Sequence, residues 1–162
     1  MTTRGAAAAL VVGALVMSGC GVVERVTPAP GYAWLERTAE GYVLSSRCEV
    51  WPLLDVRAQD ASPTDRGSYD EKPAVWQITS KEGAPAVRLG ADNAGYETVV
   101  AAPSDLSSRF LAIRYANGRW EGALWVRPAD LAIGQVAWDD GAIISRAEFD
   151  AIPSDRFRRN GG

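Results

Sequence analysis

Asn117-Gly118, set between two alternating apolar runs, constrains the fold of this chain more than any other feature. A type I′ turn needs positive φ at both central residues, and Asn-Gly tolerates that conformation well. A two-residue loop there predicts a hairpin over 109–126. Its register puts Ala116 opposite Arg119, Tyr115 opposite Trp120, Arg114 opposite Glu121, Leu111 opposite Leu124 and Phe110 opposite Trp125. Such charge and apolar pairs contribute roughly 0.2–1 kcal/mol each.

The same period of two recurs elsewhere. Over 42–50, Tyr42, Leu44, Ser46, Cys48 and Val50 share one face, and Val43, Ser45, Arg47 and Glu49 the other, which reads as a half-buried strand. Further strands are expected over 32–37, 53–58, 75–80, 87–89 and 96–101. A second hairpin is expected from 135–138 and 142–144, turning at Asp139-Asp140-Gly141. The polar run 59–73 reads as an exposed loop. Pro128-Ala129-Asp130-Leu131 reads as a helical turn. Ser145 and Glu148 have capping-box spacing, with Ile144 and Phe149 at the positions of a hydrophobic staple. A short helix should therefore begin after Ser145 and stop before Pro153. Together these elements predict a mainly β domain: an antiparallel β-sandwich or partly open barrel with one short C-terminal helix.

The N-terminus follows a different logic. Residues 1–19 carry one positive charge, Arg4, then an apolar run, then small residues. That is the layout of a secretory signal peptide, too short for a comfortable membrane span. Met17-Ser18-Gly19-Cys20 resembles the lipobox of bacterial lipoproteins, with Met17 where Leu is usual. The resemblance implies lipidation of Cys20, cleavage before it, and a place on the extracytoplasmic face of the cell membrane. Two or more acyl chains give stable attachment. The expected organisation is a signal peptide (1–19), a lipidated tether (20–31), a β-rich domain (32–153) and a frayed tail (154–162). The eleven or so tether residues from Gly21 span at most ~35–40 Å, which keeps the domain near the bilayer. Trp76 to Ile78, the 111–131 stretch with its Pro-Ala-Asp-Leu ending, and Ile144 to Asp150 resemble small lipoproteins of Gram-positive bacteria. That likeness brings no activity with it.

Composition narrows the function. The formal charge is −3, and one unit more negative without Arg4, so nothing argues for a nucleic-acid partner. The chain has no histidine, which excludes Ser-His-Asp and Cys-His catalysis. With Cys20 lipidated, Cys48 has no intramolecular partner. Its place on the Tyr42-Leu44 face reads as a small core residue, with an intermolecular bridge or a reactive thiol as alternatives. Asp139, Asp140, Asp65, Asp70 and Glu71 lack the spacing of a calcium loop, so no metal site or cofactor is expected. Ser68 and Lys72 are one residue too far apart for the Ser-x-x-Lys of penicillin-recognising enzymes.

Six tryptophans remain: Trp34, Trp51, Trp76, Trp120, Trp125 and Trp138. Apolar strand faces place Trp76 and Trp120 in the core. Trp125 differs, because it shares a mixed face with Phe110, Ala112, Arg114, Glu121 and Ala123. That face is either covered or a contact surface, and Phe110 and Trp125 are its candidate binding residues. The functional expectation is a non-catalytic binding module, membrane-anchored through Cys20, that meets an envelope protein or glycan. A carbohydrate- or cell-wall-binding module and a carboxylate-only cell-wall hydrolase are the alternatives.

Overall fold

A computed structural model describes residues 33–47, 52–65, 72–117, 121–138 and 141–153. Along the chain run β1 (Ala33–Thr38), β2 (Gly41–Ser46), β3 (Leu53–Asp60), β4 (Ala74–Ala84), β5 (Ala86–Arg88), β6 (Glu97–Val100), β7 (Leu111–Ala116), β8 (Glu121–Val126), β9 (Gln135–Trp138), β10 (Ala142–Ser145) and α1 (Arg146–Asp150). They form two five-stranded sheets, ordered β10-β9-β1-β2-β5 and β6-β4-β3-β7-β8, with every pairing antiparallel. Neither sheet closes on itself, so the architecture is the sandwich rather than the barrel. Among the described residues no helix is long and apolar enough to cross a membrane.

Alternation decides which side chains meet between the sheets. Ala33, Leu35, Leu44, Val87 and Ala137 come from the first sheet. Leu53, Val56, Trp76, Ile78, Leu111, Ile113, Tyr115, Leu124 and Val126 come from the second. Trp76 is 1% exposed, at the heart of this core. Burying a large apolar side chain contributes about 1.5–3 kcal/mol, so one such cluster is enough to hold both sheets together. The Tyr42-Leu44-Ser46 face is the inward one, while Cys48 lies outside the described residues.

The 109–126 hairpin forms, but in a different register. Ala116 pairs with Glu121, Tyr115 with Gly122, Arg114 with Ala123, Ile113 with Leu124, Ala112 with Trp125 and Leu111 with Val126. The expected Arg114–Glu121 and Phe110–Trp125 pairs are therefore not direct partners. Gly118, Arg119 and Trp120 lie outside the described residues. A slip of two residues keeps every side chain on its face, so facing could not choose between the registers. Gly122 chooses. A Cβ there would stand 2.5 Å from the Tyr115 ring, so that ring occupies the space the glycine leaves open. The expected register would set Tyr115 against Trp120 and forfeit that fit.

The expected loop 59–73 starts too early. β3 continues to Asp60, and Gln59 is 3% exposed. Its buried amide is satisfied, since Gln59 Nε2 donates to the Lys72 carbonyl. β4 likewise runs past Ser80 to Ala84.

The elements expected over 128–153 form, while Asp139, Asp140 and the tail 154–162 lie outside the described residues. Pro128–Asp130 is a 3₁₀ turn, and β9 and β10 pair as a hairpin. At α1, Ser145 Oγ accepts from the Glu148 backbone N–H at 3.2 Å and Glu148 Oε2 accepts from the Ser145 N–H at 2.9 Å. Phe149 and Ile144 join Trp34, Val136, Trp138 and Ile152 in a second apolar cluster. Through it α1 covers the outer face of the first sheet.

Candidate binding face on the second sheet

The outer face of the second sheet is where the mixed pattern read from the hairpin meets β3. Residues alternating with the core strand positions point away from the sandwich. Registers across β3, β7 and β8 then set them in rows: Asp55, Ala116 and Glu121; Arg57, Arg114 and Ala123; Gln59, Ala112 and Trp125. β4 adds Gln77 beside Arg57 and Thr79 beside Asp55.

The last row is closed. Gln59 is 3%, Ala112 7% and Trp125 8% exposed. Phe110 precedes β7 on the same face and is half-buried, and its carbonyl accepts from the Ala61 N–H at 3.0 Å. Trp125 thus faces Ala112, and Phe110 lies diagonal to it. The two candidate residues share a face, with Trp125 packed into it and Phe110 at its margin.

The other two rows border a cavity of about 190 Å³, lined by Asp55, Arg57, Arg114, Tyr115, Ala116 and Glu121. Its shape follows from residue size. Ala116 is short, which leaves room among the longer side chains of the lining. Asp55 Oδ2 accepts from Gln77 Nε2 at 3.0 Å, which fixes that carboxylate. Arg57 is half-buried and Glu121 exposed. Two arginines and two carboxylates thus line one cavity.

Arg57 was not singled out from sequence, although a signal existed. Asp55, Arg57 and Gln59 alternate with Val56 and Ala58, which marks an outward polar face. What local pattern lacks is the pairing of β3 with β7, which brings Arg57 to Arg114 from far along the chain.

The remaining candidates fall elsewhere. Cys20, Cys48, Trp51, Ser68, Asp70, Glu71, Trp120, Asp139 and Asp140 lie outside the described residues. Trp34 and Trp138 pack on Phe149 with ring centroids 4.9 and 5.9 Å apart, under α1. Arg146 lies over the Trp34 ring at 5.6 Å and bonds Glu36 at 2.6 Å and Asp150 at 2.9 Å. Those bonds, Asp150 first, hold the Arg146 guanidinium more firmly protonated than usual. Burial acts oppositely on Arg47, lowering its pKa, with Asp150 partly offsetting the effect. A broad hollow of about 700 Å³ between 79–83 and 94–97 is lined by Lys81, Glu82 and Glu97 without aromatic groups. Among the described residues no group of three or more Cys, Asp or Glu side chains is placed to hold a metal ion. No family model, curated protein or solved structure matches the chain.

Proposed function

We propose that the chain is a lipid-anchored extracytoplasmic protein of the bacterial cell membrane whose β-sandwich binds an envelope partner without transforming it. The observation that carries the anchor is Met17-Ser18-Gly19-Cys20 at the end of an apolar run behind Arg4. The contact is the outer face of the second sheet, with Phe110 at its margin and the arginine-lined cavity beside Trp125. Cys20→Ala tests the anchor. The variant should lose labelling by radioactive fatty acid and remain uncleaved. Labelling that persists would overturn the reading.

One observation favours the hydrolase alternative: Asp55 and Glu121 line a single cavity. A glycosidase acid keeps its proton in an apolar pocket, whereas Arg57 and Arg114 line this one. Binding is therefore the better-supported role. Cell-wall hydrolysis by the full-length chain that disappears in Asp55→Asn would reverse that order. Sugar stacking needs an exposed aromatic platform. Trp34, Trp76 and Trp125 are buried and Trp138 half-buried, so the described tryptophans do not supply one.

A further inference from the structure

We propose that the Arg57–Arg114 cavity is a phosphate-binding subsite, an inference that rests on the binding-face reading above and names the chemistry the face takes. Arg57 and Arg114 are direct cross-strand partners. Like charges so placed repel each other, and the repulsion grows where water is excluded. Arg114 is only 9% exposed. Of the cavity's carboxylates, Asp55 is engaged by Gln77 and Glu121 stands exposed at the rim. Among the described residues no hydrogen bond or ion pair reaches the Arg57 guanidinium. Arg57 and Arg114 line the same cavity, and a guanidinium's planar fork of N–H donors suits an oxyanion with oxygens in several directions. A water's share of volume is about 30 Å³, so the space admits a phosphate group and some solvent.

Position in the fold bears on where that phosphate comes from. Leu53 pairs with Ala84, the Pro85 carbonyl accepts from the Ser46 N–H at 2.7 Å, and Ser46 pairs with Ala33. The Asp55 end of the cavity therefore lies toward the end at which the chain enters β1. With Cys20 in the membrane, that is the end nearest the headgroups. Two sources share the chemistry: a soluble phosphate ester and a phospholipid headgroup.

The test titrates the full-length chain, with isotope-labelled arginine, against inorganic phosphate and separately against glycerol 1-phosphate at constant ionic strength. Both probes should move the Arg57 and Arg114 side-chain resonances saturably. Arg57→Gln should weaken binding about tenfold or more. Arg57→Lys keeps the stem and the charge but not the fork, so it should give a smaller loss and stands in if the glutamine variant misfolds. Arg57-dependent binding to phosphatidylglycerol vesicles that is tighter than binding of glycerol 1-phosphate supports the headgroup source, and binding of glycerol 1-phosphate without binding to the vesicles supports a soluble ester. No saturable shift, or the same shift in Arg57→Gln, overturns the subsite. The fatty-acid labelling of Cys20 is independent of this titration, so anchor and subsite fail separately.

Discussion

At 8% exposure Trp125 acts as packing, while Phe110 on the same face stays half-exposed. The two therefore separate in a stability experiment. Trp125→Ala should cost about 3–5 kcal/mol, as deletion of a buried aromatic does. Phe110→Ala should cost less than about half of that, because less of its ring leaves contact. Urea midpoints for the two variants measure the difference, and equal midpoints would contradict the burial described. The face these residues share was legible in the sequence, because period two assigns faces from local pattern alone. Their burial was not, since it depends on what lies over the sheet. Arg57 is the same case in reverse: its outward face was readable, and its neighbour Arg114 was not.

Among the elements, α1 was the most fully legible, because a capping box is a local device. Its hydrogen bonds make it sensitive to acid. Bonds from the Ser145 side chain, then from its backbone, hold the Glu148 carboxyl below its ordinary pKa. A carboxyl depressed in the fold lends stability above its unfolded pKa of about 4.3, and that stability is lost as pH falls toward the folded value. Protection of the Ala151 and Ile152 amides, whose N–H groups bond back to Ala147 and Phe149, measured against their intrinsic exchange rate, should therefore fall below about pH 4.3. Glu148→Gln keeps a capping side chain without a titrating proton, so its exchange should follow pH only through the chemistry of exchange itself. A wild-type profile matching the glutamine variant would rule this origin out. The β7–β8 hairpin was legible to the strand and not to the rung. Its two candidate registers differ by an even step, and the contact that decides between them, Tyr115 over Gly122, is a matter of shape rather than of polarity.

At the scale of the molecule, fold class followed from repeated short alternating runs, and strand order did not. Nothing local in β1 says that it lies between β9 and β2. If the proposed lipid anchor on Cys20 is right, that order sets which end of the domain meets the membrane. Ala33 pairs with Ser46, and Arg47 Nη2 donates to the Ile152 carbonyl at 3.4 Å, so the described chain begins and ends at one end of the first sheet. Gly134 donates to the Arg37 carbonyl at 2.9 Å, which puts the exposed Ile133 at the other end. A strand of this length separates the ends by roughly 20 Å. If Cys20 is lipidated and the Arg57–Arg114 cavity, which lies toward the same end as Ala33, takes phosphate as proposed, the domain should stand with that end toward the bilayer. The lipidated chain in vesicles containing nitroxide-bearing lipids should then show stronger line broadening at the amides of Ala33 and Ile152 than at those of Ile133 and Gly134. The tether alone, at up to ~35–40 Å, is long enough to let the domain turn over. A persistent contrast between the ends therefore requires a contact besides the tether, and Arg57→Gln should reduce it. Equal broadening at both ends would mean that the domain tumbles on its tether and that the cavity does not dock on the membrane.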